Sequence, residues 1–574
     1  MLVGCELTPS ALEEEAAGDE NSGSCPEQLR HHEMTPEERR LGTHKEDSDH
    51  GAECHGDSPE HDDDGYVRKR VEFTLARGGF DYRHFIYYCA VMGLMRVAPF
   101  LLCSTLSVIC LAAASDRRLQ GGFRSAPESG WNFVHLEGTP QAIGYQHGYL
   151  LSTEIEDGKK AIELSTTHDV KHSWTELREV AEKYFTPKLP QEYRDELEGM
   201  QQGLAAKGSK LDLTDLVAMN AFMEFTYYYD DMRRKDVKGS AAPAAHPPEH
   251  CSAFVATGSY TKDGRIVIGH NNWTDYLTAS RWDAIFDIVP TTGHHLIMDG
   301  VPGLIHSADD FGMNDAGIMI TETTIGKFHG FDAKAVPEFI RARKAMQYSE
   351  SIDDFARIME DGNNGGYANT WLVGDRKNNE IGRLELGLKT VTLERTKDGY
   401  FVGSNFPINP KLIAEETDYP AADANEPNNV RHRRWDQLMT ENKGKIDVEL
   451  GKKFETDHYD IVEKQIDPDE RTICGHVDRS PRGMPGWFGP HGPAGVAEVK
   501  VADSAMCEKM SFVAGMGHPC GVEFHAAEFL AGHPDYAWTE PLLRDLKANK
   551  WAVFCPRNAS ETGTASSAGG QGSR

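Results

Sequence analysis

One stretch limits what this chain can become. Cys251-Ser252-Ala253-Phe254-Val255-Ala256-Thr257-Gly258 reads as a short apolar strand. Lys262-Asp263-Gly264 supplies a turn, with glycine tolerating positive φ. Arg265-Ile266-Val267-Ile268-Gly269 reads as the return strand, and His270-Asn271-Asn272-Trp273 forms a polar and aromatic cluster where that strand ends. The segment from Gly239 to Pro248 is small, proline-rich and without apolar periodicity, which marks an exposed linker. A cysteine opening a buried hairpin directly after such a linker points to a nucleophile exposed by cleavage of the His250–Cys251 bond. The competing reading is a buried cysteine serving as a small hydrophobe after an ordinary loop.

A cysteine at a new N-terminus carries its own base. The α-amino group has an ordinary pKa of about 7.7–8.0, within the working range of a general base. It can take the thiol proton directly or through one water. The thiolate then attacks an acyl carbonyl and forms a thioester, which water resolves.

Composition narrows the partners. The formal net charge is −30, and a phosphate backbone needs a basic surface, so nucleic acid is excluded as a partner. A zwitterionic lipid or a small amide remains compatible, and a lipid substrate implies transient contact with a membrane surface. With 39% hydrophobic and 26% charged residues over 574 positions, the bulk is that of a globular protein with a large core.

Residues 1–84 are acidic, polar and His-rich, and cannot bury enough apolar surface to offset ordering entropy, so a disordered leader is expected. The most apolar span, 85–115, contains Arg96, then Val97 to Ala114, ending in small residues. It reads as a secretory signal, with Met92 or Met95 as its start, or as a signal anchor. Secretion or delivery to a lysosome-like compartment follows. Beyond Ser115 lie Cys251, Cys474, Cys507, Cys520 and Cys555; without the nucleophile an even set remains, able to form disulfides in an oxidising compartment. Asn272-Trp273-Thr274 and Asn558-Ala559-Ser560 are glycosylation sequons.

Residues 131–250 read as a mainly helical chain ending in the linker. Ile143, His147, Leu150 and Leu151 share one helix face, and Asp212 or Thr214 caps a second helix. His147 and the Tyr227-Tyr228-Tyr229 cluster read as packing residues. Past the hairpin, strands are expected at 284–289, 295–298 and 317–321, helices at 337–346 and 351–359, and strands at 370–373 and 381–386. This succession is an α+β domain with packed sheets. From Arg431 the chain turns helical, then loop-rich, and a disordered tail covers 557–574.

The run Cys-x-x-Phe-x-Ala-x-Gly, Lys-Asp-Gly-Arg-Ile and His-Asn-Asn-Trp resembles the phospholipase B-like proteins, within the N-terminal-nucleophile group that includes the penicillin acyltransferases. The resemblance extends from about Gly138 to about Pro556 and takes in Gly144-Tyr145-Gln146-His147-Gly148. It implies a four-layer αββα sandwich over 251–556, with the helical segment as a prosegment chain that stays associated after self-cleavage before Cys251. It implies an acyl hydrolase acting on phospholipid esters, or alternatively on N-acyl amides; a catalytically silent binding protein on the same fold is the third reading. By this resemblance Cys251 is the nucleophile, and Asn369, after a glycine-rich turn, supplies the oxyanion donor. His270 orients the nucleophile or leaving group, and Trp273 walls the pocket. Thr323 hydrogen-bonds substrate or amine. Asp309-Asp310-Phe311, Glu322 and Thr324 match family positions, and Ser404-Asn405-Phe406 adds an amide. Where the acyltransferases carry an acidic residue after the return strand, this chain has Asn271-Asn272, so that role is not transferred.

No His-Glu-x-x-His, Cys-x-x-Cys or phosphate-binding glycine loop occurs, so neither cofactor nor metal is expected. A papain-like protease would need its cysteine at the start of a helix, and Cys251 starts a strand.

Overall fold

The computed structural model describes residues 116–236, 251–308, 311–484 and 486–557. The leader, the apolar span 85–115, the linker with His250, the Asp309-Asp310 pair and the sequon at Asn558 lie outside the described residues, as does the tail beyond Arg557.

Two sheets carry the fold. The strands, in chain order, are β1 (Phe123–Arg124), β2 (Asn132–Gly138), β3 (Cys251–Thr257), β4 (Val267–Asp275), β5 (Ala284–Pro290) and β6 (Leu296–Gly300). They continue as β7 (Gly312–Asn314), β8 (Ile318–Thr324), β9 (Asn369–Asp375), β10 (Glu380–Leu386), β11 (Val391–Thr396) and β12 (Gly399–Gly403). Last come a small ribbon of β13 (Tyr459–Asp460) and β14 (Gln465–Ile466), then β15 (Ala494–Asp503), β16 (Phe512–Met516) and β17 (Ala552–Phe554). The larger sheet runs β1-β2-β5-β6-β7-β8-β9-β10-β11, and the smaller runs β12-β3-β4-β15-β16-β17.

Side-chain alternation explains how the sheets stack. Ala253 and Val255 of β3 and Ile268 of β4 pack against Ile285, Ile297, Met319 and Leu372 of the larger sheet, forming the inter-sheet core. The other face of the smaller sheet, with Phe254, Val267 and Val501, packs on Trp435, Leu438 and Phe454 from helices Pro427–Glu441 and Val448–Glu455. The outer face of the larger sheet, with Phe286, Ile320 and Val373, packs on helices including Pro140–Leu150, Gln191–Ala206 and Glu338–Tyr348. The order helix, sheet, sheet, helix is the expected four-layer αββα sandwich.

Three local expectations change. The N-terminal segment is not only helical: β2 lies inside the larger sheet, parallel to β5 in register Asn132↔Ala284 through Gly138↔Pro290. The cluster His270–Trp273 sits within β4, not at its end, because pairing with β15 carries the strand on to Asp275. The stretch read as loop-rich contains β15, β16 and β17, half of the smaller sheet; Glu498 and Lys500 of β15 are charged yet buried. Asp212, rather than Thr214, caps the helix Leu213–Asn220. His147 is a packing residue: its Nε2 accepts from the Gly303 N–H at 2.9 Å, and its ring lies on Phe286. Among the described residues no helix is long and apolar enough to cross a membrane, and no disulfide joins cysteines.

Candidate active site

Cys251 opens β3 and is held at every polar atom. Its main-chain nitrogen donates to Asn405 Oδ1 at 2.9 Å, and its carbonyl accepts from Arg431 Nη1 at 2.6 Å. Its sulfur stands 3.9 Å from Asn272 Oδ1. Register explains these neighbours. Asn272 is the β4 residue directly opposite Cys251. β12 pairs with β3 up to Gly403↔Ala253, so the chain two residues on brings Asn405 beside Cys251. Asn405 has a φ of 65°, a left-handed conformation that asparagine tolerates better than most residues. Its Nδ2 donates to the Thr324 carbonyl at 2.9 Å, which fixes which way the amide oxygen points.

Arg431 lies beneath this corner, fully buried on helix Pro427–Glu441. Besides Cys251 it donates to Ser252 Oγ at 2.9 Å, Asn405 Oδ1 at 3.1 Å and Asn428 Oδ1 at 2.7 Å. Its guanidinium stacks on Trp273, 4.4 Å from the ring centroid. Burial pushes its pKa down to about 10, opposed by the Cys251 thiol, so the group remains a cation at neutral pH. A buried positive charge beside a cysteine favours the thiolate.

Asn272 continues a polar ladder between the sheets. Its Nδ2 donates to Glu498 Oε1 at 2.9 Å, Glu498 lies 3.5 Å from Lys500 Nζ, and Lys500 pairs with Asp299 of β6. All three charged groups are buried, and each answers another. The sequon at Asn272 is therefore closed to glycosylation, since its amide nitrogen is buried and in use.

The cysteine faces a recess of about 40 Å³. Phe222, Met223, Trp273 and Trp282 give it apolar walls, while Thr166, Asp169, Thr274 and Asp275 make the rest polar. Asp275 has a pKa pushed up to about 6 by burial, and it accepts from Thr278 N–H and Oγ1, capping the short helix Tyr276–Ala279. A wider cleft of about 900 Å³ lies elsewhere, between Arg124, Asp157, Lys160 and Arg544; no cysteine or histidine lines it, so the chemistry points to the recess.

Of the expected site residues, Cys251 and Trp273 meet at the recess; three others do not line it. Asn369 begins β9; with its amide oriented to suit its neighbours, the nitrogen donates to Glu322 Oε2 and the Ala368 carbonyl, both at 3.0 Å. His270 faces the inter-sheet core opposite Ala253 and is fully buried. Burial, reinforced by Lys500, drives its pKa well below the ordinary value and keeps it neutral. Thr323 packs under β12, against Gly403, where an added Cβ would meet Thr323 Oγ1 at 2.5 Å. Glu322 accepts from the Tyr367 hydroxyl at 2.9 Å, and Thr324 lines the recess.

Sequence reasoning missed Arg431 and Asn428. Arg431 sits in a run of basic residues, Arg431-His432-Arg433-Arg434, whose other members are half-buried or exposed, so nothing in the spacing singled it out.

Residues 166–547 match the family model described as Phospholipase B. An uncharacterized protein of Archaeoglobus fulgidus is 25% identical over 367 residues, 57% of this chain and 58% of that one. Phospholipase B-like 1 of Homo sapiens is 27% identical over 187 residues, 28% of this chain and 33% of that one. The acyl-coenzyme A:6-aminopenicillanic-acid-acyltransferase 40 kDa form of Emericella nidulans is 24% identical over 236 residues, 40% of this chain and 57% of that one. The similarity thus spans between a third and somewhat more than half of each relative's length. With the family model matching more than half of its length, the chain belongs to the phospholipase B family.

Proposed function

We propose that this chain is an acyl hydrolase whose nucleophile is Cys251, released as an N-terminal residue when the precursor is cut after His250. The observation that carries this reading is the separate grip on the two main-chain polar groups of Cys251, nitrogen by Asn405 and carbonyl by Arg431, in a residue that lines the recess. A cysteine that only fills a core needs no such arrangement.

In the mature protein the α-amine takes the place of the amide nitrogen against Asn405 Oδ1. It removes the thiol proton, and the sulfur attacks the acyl carbonyl carbon. The leaving alcohol or amine departs with the proton held by the amine, and a thioester remains. Water loses a proton to the same amine and attacks the thioester; the C–S bond breaks, the carboxylic acid leaves, and the amine returns the proton to the sulfur. Asn405 and Arg431 are positioning residues in this scheme; Trp273, Phe222 and Met223 receive the acyl chain. Asn369, His270 and Thr323 do not line the recess and build its surroundings. The recess must widen to admit a chain, and its helical wall belongs to the N-terminal segment. That segment shares the larger sheet through β2 and β5, so a cut at residue 250 leaves the two chains joined.

The family name and the apolar walls favour a phospholipid ester as substrate, met at a membrane surface; an N-acyl amide would use the same apparatus. Export or delivery to a lysosome-like compartment fits the apolar span before Ser115. Intact-mass analysis and N-terminal sequencing test the core of the proposal. Wild-type protein should yield a fragment beginning at Cys251, and Cys251→Ala should stay uncut and inactive. Activity in uncut material, or in Cys251→Ala, would overturn it. Parallel assays on phosphatidylcholine vesicles and N-acyl amides then assign the bond.

A further inference from the structure

We infer that His458, Cys474, His476 and Cys520 form a structural zinc site that fixes the loop behind Trp273. One donor atom from each residue lies within 4.8 Å of all the others. His476 Nε2 stands 3.7 Å from Cys474 Sγ and 3.4 Å from Cys520 Sγ. Zinc bond lengths to sulfur and nitrogen place tetrahedral donors about 3.3–3.8 Å apart, so the two His476–sulfur spacings are those a bound ion needs, and an ion would draw the remaining donors, within 4.8 Å, together. Two thiolates and two imidazoles are the donor set of a closed structural site.

The four residues come from three separate places. His458 follows helix Val448–Glu455, Cys474 and His476 lie on the loop leading to β15, and Cys520 is in the turn after β16. Main-chain bonds hold the loop in position: Cys474 N–H donates to the Asp457 carbonyl at 3.0 Å, and His476 N–H to the Asp469 carbonyl at 3.1 Å. Cys474 and His476 are fully buried. An outer layer orients the ligands. His476 Nδ1 faces Asp478 Oδ1 at 3.8 Å, and Asp478 accepts from the Tyr276 hydroxyl at 2.9 Å. Carboxylates behind ligand histidines fix ring orientation and raise ligand basicity.

The rival arrangement is a Cys474–Cys520 disulfide. It would explain two sulfurs and leave two histidines converging on them without purpose. His458 Nε2 is buried with no hydrogen-bond partner among the described residues, and His476 Nε2 has only the two sulfurs beside it. Burying polar nitrogens with nothing to bind is costly, and a disulfide offers them only weak acceptors. A cation uses both rings.

The loop matters to the recess. Trp273 Nε1 donates to the Ile473 carbonyl at 3.2 Å, and Asn271 Nδ2 reaches the same oxygen at 3.2 Å. Gly475 lies flat on the indole, where an added Cβ would come 1.7 Å from the ring. Zinc at Cys474 and His476 would therefore hold the backing of one recess wall. The site stands whether or not Cys251 is a nucleophile, because its test reads metal and thiols rather than turnover.

Full-length protein, expressed with zinc and dialysed without chelator, is analysed for metal content and for alkylation of each cysteine after denaturation without reductant. The expected result is about one zinc per chain, with Cys474 and Cys520 both alkylated. A Cys474–Cys520 crosslinked peptide, or protein without zinc, would overturn the inference. In competition with a zinc chelator, Asp478→Asn should weaken zinc binding about 10- to 100-fold, and His458→Ala by more. Cys507→Ser should retain zinc. Should His458→Ala not fold, the wild-type metal and thiol measurements decide alone.

Discussion

Asn405→Ala tests the grip on Cys251 most directly. The substitution removes an acceptor used by Cys251 N at 2.9 Å and by Arg431 at 3.1 Å. It also removes the Nδ2 bond to Thr324 and places alanine at a φ of 65°. A hydrogen bond to a charged group contributes about 1.5–3 kcal/mol, and after maturation both partners of Oδ1 are charged in part of the cycle, so the two together, each taken near the lower end of that range, are worth about 3–4 kcal/mol. If that energy serves to hold the amine against the thiol, kcat should fall about 100- to 1,000-fold, at about 1.4 kcal/mol per decade. The left-handed alanine adds a stability cost of about 1–2 kcal/mol, which thermal unfolding reads separately. Asn405→Asp keeps the acceptor and the tolerance for positive φ, and should stay within about tenfold of wild type, since it loses only the neutral bond to Thr324. The assay is hydrolysis of a chromogenic acyl ester, with N-terminal sequencing of each variant so that only matured protein is counted. Matured Asn405→Ala with an unchanged kcat, or Asn405→Asp as damaged as alanine, would refute the positioning argument.

Other perturbations probe separate parts of the same frame. Arg431→Met leaves the Cys251 and Ser404 carbonyls, which accept from it at 2.6 and 3.3 Å, without that donor and should destabilise the fold by about 2–5 kcal/mol, read by urea denaturation. Gly475→Ala forces the Trp273 indole to move, costing about 1–3 kcal/mol and shifting tryptophan fluorescence; an unaltered spectrum and midpoint would count against the packing described. His147 has a pKa lowered to about 3 by burial, below its unfolded value near 6.5. Its contribution is therefore complete above pH 6.5 and lost as pH falls toward 3, amounting to about 2 kcal/mol by pH 5. His147→Gln, which keeps an acceptor for Gly303, should flatten that acid limb in denaturation curves at pH 5 and 7. Lys500→Met should destabilise by about 3–5 kcal/mol, because Asp299 and Glu498 then remain buried without their cation; a neutral outcome would show that the ladder does not hold the sheets.

The hairpin that presents Cys251 was legible because its causes are local. Alternation between faces, the turn at Gly264 and the proline-rich segment upstream are all visible within a few residues of one another. The helices at 338–348 and 352–360 and strands β5, β6, β8, β9 and β10 of the larger sheet were legible on the same grounds. β15 was not, because a strand bearing Glu498 and Lys500 has the pattern of an exposed face until Asp299, from another sheet, is placed against it. Asn369 drew the oxyanion role from its place after a glycine-rich turn, but the direction of its amide depends on Glu322, which lies across the sheet and 47 residues earlier in the chain.

The sequence by itself determined that a cysteine would begin a buried strand in an α+β chain, since backbone periodicity and turn chemistry act over short spans. Only the tertiary structure decided what surrounds that cysteine. Asn405, Arg431 and Asn272 reach it through strand register and a helix 180 residues away, and the His458, Cys474, His476 and Cys520 cluster exists only where three loops converge. Buried charges and ligand sets owe their stability to partners distant along the chain, and linear spacing carries no record of those meetings.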